Sequence, residues 1–143
     1  MSKRDLVERW FVEAWEKGNM AILDEMLAPS LTDSDLLDGL LAPRRDFPLL
    51  VEVIHKLVGP LKVEILRFLQ DGDWTSTHYI MTSPGPDAAT PLRVEGVVLI
   101  RFEEDKIAEL ISRFDGFTLF EQLGQLPPDA LVACLSGQKL TWA

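Results

Sequence analysis

Asp115 is the side chain of this sequence best placed to move a proton. It closes the apolar run Lys106-Ile107-Ala108-Glu109-Leu110-Ile111-Ser112-Arg113-Phe114, and Phe117, Leu119 and Phe120 follow it. A carboxylate beside that much apolar surface belongs at a pocket edge or in an ion pair. Burial raises a carboxyl pKa and a neighbouring cation lowers it, so either setting makes a candidate acid or base. Arg113, two residues back on the same strand face, offers a purely structural pairing instead. Three further carboxylates, Asp33, Asp35 and Asp38, share one polar stretch, where a solvated acidic loop is the simpler reading for any one of them. His78 is the only histidine in a strand-like segment and could act as an acid or base near neutral pH. Alternation groups it with Trp74, Ser76 and Ile80, opposite Thr75, Thr77, Tyr79 and Met81, and only one of the two faces can look inward. Arg101 cannot shuttle protons. It can steady a developing oxyanion or bind an acidic group, or simply pair at the surface with Glu103 or Glu95.

Composition removes several classes of chemistry. With two histidines and one cysteine, a His/Cys metal cage is not available, and no cofactor is expected. His55, in Glu52-Val53-Ile54-His55-Lys56, reads as a solvated helix residue, and Cys134, in an apolar stretch, as a small buried hydrophobe. The net charge of −9 disfavours nucleic acid and anionic membrane as partners, because phosphate binding needs clustered Lys and Arg. No apolar run is long enough to span a bilayer, and no apolar signal core follows Met1-Ser2-Lys3-Arg4-Asp5. These features predict a soluble, cytoplasmic protein. The 143 residues suit one domain, 1–143, with a core of about 3–124 and an extension over 125–143.

The elements that must position these groups follow from periodicity. Ser2, with Asp5 three residues on, caps a helix whose apolar residues are Leu6, Val7, Trp10, Phe11, Ala14 and Trp15, ended by Gly18. Asn19 is expected to cap a short second helix through Leu27, stopped by Pro29. After a polar loop over 29–45, Asp46 is expected to cap a third helix, with Pro48 in its first turn. Leu49, Leu50, Val53, Ile54, Leu57 and Val58 form its expected stripe, and Gly59-Pro60 stops it. The period then changes to two. Strands are predicted over 61–70, 74–82, 92–102 and 106–114, with turns at Asp71-Gly72-Asp73 and Glu103-Glu104-Asp105. Helices followed by a meander mean an α+β fold, with three N-terminal helices packed on one face of a curved antiparallel sheet. Pro127-Pro128-Asp129 opens a last helix, ending near Gly137.

In this order the chain resembles the nuclear transport factor 2-like superfamily, a cone-shaped fold with a pocket between sheet and helices, and within it the SnoaL-like, polyketide cyclase-related branch. Three stretches carry the resemblance: Phe11-Val12-Glu13-Ala14-Trp15-Glu16-Lys17-Gly18-Asn19 with Leu27-Ala28-Pro29; Gln70-Asp71-Gly72-Asp73-Trp74; and Asp105-Lys106-Ile107-Ala108-Glu109 with Asp115 and Phe120-Glu121-Gln122-Leu123-Gly124. The resemblance implies a general acid/base at Asp115. Where such cyclases use a histidine on the preceding strand, this chain has Arg101. Comparison with ketosteroid isomerases puts Asp35 at the place of their base, but the places of their oxyanion donors hold Phe11 and Val98, which cannot donate. In the loop where SnoaL-like sequences often carry a histidine, this chain has Ser34, Asp35 and Leu36-Leu37.

Two classes of function follow. One is a cofactor-free cyclase, isomerase or hydrolase acting on an apolar carbonyl compound, with Asp115 as acid/base and Arg101, His78 or Arg113 steadying the oxygen. The other is a non-catalytic binding or assembly domain. Its pocket would be lined by Trp10, Phe11, Trp15, Tyr79 or Ile80, Val98, Arg113 and Phe114, and its open sheet face and tail, including Trp142, would make a homodimer.

Overall fold

A computed structural model describes residues 1–31 and 43–141 of the chain. Asp33, Ser34, Asp35, Asp38 and Trp142 lie outside the described residues.

Helix α1 (Lys3–Trp10) starts on the anticipated capping box: Ser2 Oγ accepts from the Asp5 amide and Asp5 Oδ2 from the Ser2 amide, both at 3.1 Å. It runs directly into a π-helical segment, Phe11–Glu16, and the two bury Leu6, Val7, Trp10, Phe11 and Ala14. Helix α2 (Ile22–Met26) follows, but Asn19 is not its side-chain cap. Its amide turns back to Glu13 Oε2 at 3.2 Å, so the residue closes the preceding segment instead. Helix α3 (Pro43–Val58) begins three residues before Asp46, which therefore lies inside its first turn. Pro43 explains the earlier start: its fixed φ suits the first helical position, where its missing N–H costs nothing. The stripe α3 buries is also shifted. Phe47, Val51 and Val58 are buried, whereas Leu49 and Val53 are exposed.

Four antiparallel strands follow, β1 (Lys62–Asp71), β2 (Trp74–Ser83), β3 (Leu92–Glu103) and β4 (Lys106–Phe114), in the order β1-β2-β3-β4. Gly72, at φ +59°, supplies the left-handed conformation that the tight β1–β2 turn requires. Register shifts between Ile65 and Arg67 on β1, and between Arg101 and Phe102 on β3, interrupt the ladder. Such bulges bend a strand and increase its twist. The resulting curved sheet presents Val63, Ile65, Tyr79, Val98, Ile100 and Leu110 to the helices in one continuous core.

Each sheet edge is covered. Glu16 Oε2 takes the Val63 amide of β1 at 3.2 Å, and Leu27–Ala28 runs along β4, with the Ala28 amide on the Ile107 carbonyl at 2.8 Å. Beyond the end of β4 the chain forms α4 (Gly116–Gln122), an element the periodicity did not announce. Gln122 from α4 bonds both the amide and the carbonyl of Arg93, each at 2.9 Å, as a neighbouring strand would. Helix α5 (Ala130–Leu135) appears where Pro127-Pro128-Asp129 predicted one. There Cys134 is exposed, not buried, because the helix turns its Ala130 and Ala133 side towards the protein and Cys134 away from it. Among the described residues no helix is long and apolar enough to cross a membrane.

Candidate functional site: an apolar cavity with one hydroxyl pair

Between the helices and the concave sheet face lies a cavity with about 80 Å³ of open space. A water needs roughly 10–15 Å³ measured this way, so there is room for several waters or a small compact molecule. Trp10, Phe11 and Trp15 enter from the first helical segment, and Phe47, Leu50 and Ile54 from α3. The sheet contributes Val63, Tyr79, Met81, Val94, Val98, Leu110, Ser112 and Phe114, and Leu61 and Leu119 complete the lining.

The helical wall is held by its rings and by one imidazole. Phe47 packs on Trp10 at 5.0 Å and edge-on to Trp15 at 5.3 Å. The π-helical turn changes the backbone bonding, and the Trp15 carbonyl accepts from His55 Nε2 at 2.5 Å. Such turns occur often at functional sites. His55 is therefore a half-buried clasp between α3 and the first helix, not a solvated residue.

Tyr79 crosses the sheet floor. Its ring packs against Phe11 at 5.3 Å, and Ser112 stands beside it in the lining. Burial pushes the phenol pKa above its ordinary value, only partly offset by Ser112, so the group stays a neutral donor. The crossing depends on Gly96, the β3 residue paired with Tyr79. A Cβ there would meet the phenol oxygen at 2.4 Å and the Arg113 carbonyl at 2.9 Å.

The anticipated binding residues Trp10, Phe11, Trp15, Tyr79, Val98 and Phe114 all stand in this lining. Arg113 is exposed, donates to the Ser112 carbonyl at 2.8 Å and does not line the cavity. Ile80 is buried on the strand face opposite Tyr79, outside the lining.

The anticipated acid/base and oxyanion groups stand elsewhere. Asp115 is the exposed N-cap of α4, accepting from the Thr118 amide at 3.0 Å and the Thr118 hydroxyl at 2.5 Å. Those bonds hold its carboxyl below the usual range, the opposite of a burial-raised acid. His78 lies on the outer sheet face, with Arg67 Nη1 3.0 Å from Nδ1 and Glu95 Oε1 2.9 Å from Nε2. The guanidinium can only donate, so Nδ1 accepts and Nε2 carries the proton. Arg101, on the same outer face, bonds Glu103 at 2.8 Å and Glu109 at 3.1 Å. Its side chain holds that surface together and does not reach the cavity. Asp35 lies outside the described residues.

Sequence reasoning missed Ser112, Gly96, Phe47, Leu50 and Ile54 as site residues. A signal existed for two of them. Ser112 alternates with Leu110 and Phe114, and an isolated glycine inside a strand marks a close approach. Among the described residues no cluster of His, Cys, Asp or Glu could hold a metal.

The geometry can be compared with known proteins. A family model described as a SnoaL-like domain matches residues 7–110. A candidate polyketide cyclase from Bacillus cereus superposes with a TM-score of 0.76 at 19% identity, over 89% of this chain and 87% of that one. A protein of ketosteroid isomerase-like fold from Catenulispora acidiphila, in complex with trimethylamine, gives 0.68 at 21% identity, over 87% and 95%. An LEH-like epoxide hydrolase from M. tuberculosis gives 0.61 at 18%, over 94% and 95%. At these identities the likeness shows the fold alone. No curated protein matches the chain.

Proposed function

The chain belongs to the SnoaL-like domain family, and from that premise we propose that it binds an apolar small molecule in the cone cavity. The observation that carries this reading is the lining: aromatic and aliphatic side chains from both walls, with hydroxyls only at Tyr79 and Ser112. Pockets for small ligands are mostly apolar, with a few placed polar groups that fix orientation. Indane, a compact hydrocarbon, is the direct probe. Calorimetry should detect its binding, and Val98→Trp, which fills the space from the sheet side, should abolish it. Failure of the wild-type protein to bind indane or any similar hydrocarbon would overturn the reading.

Relatives in fold named as a candidate polyketide cyclase and an epoxide hydrolase make chemistry on such a ligand a natural extension. Tyr79 is the group we assign to steady a developing oxyanion, as a neutral donor inside an apolar cavity. Asp115 has no part in this reading, because its carboxylate is engaged by Thr118 outside the lining.

For the macromolecular partner we propose a second copy of the chain, joined through the outer sheet face. Trp74, Val97 and Leu99 are exposed there. The charges between them are paired, as Arg67–His78–Glu95 and as Glu103–Arg101–Glu109, the second with one carboxylate in excess. A chain of net charge −9 repels its copy least where most of its carboxylates have a cation beside them.

A further inference from the structure

A small molecule reaches the cavity only through a wall that can part. The sheet side cannot: its strands are hydrogen-bonded in the order β1-β2-β3-β4, and bonded strands lie about 4.8 Å apart with no gap between them. On the helical side Trp10 and Phe11 are buried, whereas Trp15, Leu50 and Ile54 are half-buried, although all five line the same cavity. The accessible stretch of lining therefore runs between the end of the first helical segment and the middle of α3. Phe47, Val51 and Val58 anchor α3, all three buried, and Leu50 and Ile54 flank the opening. A polar tie crosses it. His55, next to Ile54, donates from Nε2 to the Trp15 carbonyl at 2.5 Å. A carbonyl can only accept, so Nε2 carries the proton. The acceptor is a helix-end carbonyl, of the kind left without an intrahelical donor. The amides that follow bond further back, Lys17 to the Val12 carbonyl at 2.9 Å and Asn19 to the Glu13 carbonyl at 2.8 Å. Trp15 thus gives its ring to the cavity and its carbonyl to α3. His55 itself is not part of the lining.

We infer that the gap between Trp15 and Ile54 is the entrance to the cavity and that His55 is the latch across it, a positioning residue that sets how fast a ligand passes without touching the ligand. This rests on the cavity being a ligand site, and adds how that site is reached. Passage needs Trp15 and Ile54 to part, and the His55–Trp15 bond opposes the parting in the free and the bound protein alike. Weakening the bond raises the open population before and after binding by the same factor. Entry and exit then accelerate together, as when a lid is loosened, and affinity stays where it was. A bond that served only the fold would change stability and leave both rates alone.

The test reads the exchange of indane between free and bound forms by NMR magnetisation transfer, and its affinity by calorimetry. His55→Ala should take up and release indane about fivefold faster, the equivalent of one net hydrogen bond, with the dissociation constant near that of the wild type. His55→Gln, whose side-chain amide can donate to the same carbonyl, should exchange near the wild-type rate. Val53→Gly loosens α3 on its exposed face, away from the opening. It should lower stability and leave exchange unchanged. If His55→Ala does not fold, His55→Asn, too short to reach the carbonyl, takes its place with the same expectation. Wild-type exchange without the latch, or equal acceleration by Val53→Gly, would overturn the inference while leaving the apolar-cavity reading intact. So would a changed affinity at an unchanged exit rate, since His55 would then shape the bound state. A wild-type protein that binds no indane would overturn both.

Discussion

Asp115 bonds Thr118 twice, through a backbone amide and a hydroxyl, and this changes what its removal should do. Replacing a helix N-cap by Ala costs about 1 kcal/mol, whereas Asn caps nearly as well. Asp115→Ala should therefore lower stability by about that amount in urea unfolding, and Asp115→Asn by much less. Neither should alter indane affinity. A large loss of binding with unchanged stability would return the residue to the cavity wall. The pH dependence has a definite sign. The folded-state carboxyl is held below its ordinary value by the Thr118 bonds, so its contribution is complete above the unfolded pKa and is lost as pH falls through the lower folded value. Asp115→Asn should flatten the stability profile in that acid window and leave it unchanged at neutral pH. From sequence, Asp115 was legible as a residue of consequence at the end of a strand. Its role was not, because a cap needs a helix after it, and Gly116-Phe117-Thr118 gives little helical signal.

At the scale of elements, α4 repairs the unpaired end of β3. The Asp115 amide bonds the Glu95 carbonyl at 3.0 Å, and Gln122 then completes the edge at Arg93. Gln122→Ala removes two hydrogen bonds from a partly exposed site, each with a net value near 1 kcal/mol. A loss of about 1–2 kcal/mol is expected, with faster amide exchange confined to the start of β3. Uniform exchange across all four strands would argue against this division of labour. Gly96→Ala belongs to this scale too, since it sets the spacing of three strands. It places a methyl against the Tyr79 oxygen and the Arg113 carbonyl, and overpacking of that kind costs about 1–3 kcal/mol. Thermal unfolding should show it, whereas Val94→Ala, a deletion nearby, should open space and leave the Tyr79 ring in place. The strand bounds and both tight turns were legible from period and turn residues. The start of α3 was less so, because Pro43 and Asp46 both suit a first turn and Asp46 carries the stronger capping signal.

For the whole molecule, the outer sheet face predicts association. Leu99→Glu adds an unmatched charge at its centre, and sedimentation should show a shift from dimer to monomer if the proposed face is used. A wild-type protein that sediments as a monomer at high concentration would remove the proposal. By itself, the sequence determined the order of helices and strands, the α+β class, the SnoaL-like resemblance and the aromatic character of the cavity. Those follow from local rules: caps, alternation, turn residues and apolar stripes act over a few positions. Only the tertiary structure decided which face of β2 looks inward, and so which of its neighbours, His78 or Tyr79, meets the cavity. It also turned Arg101 towards Glu103 and Glu109, and laid the Tyr79 hydroxyl over Gly96. Those outcomes depend on register between strands distant in sequence, where shifting a strand by one residue would exchange its two faces.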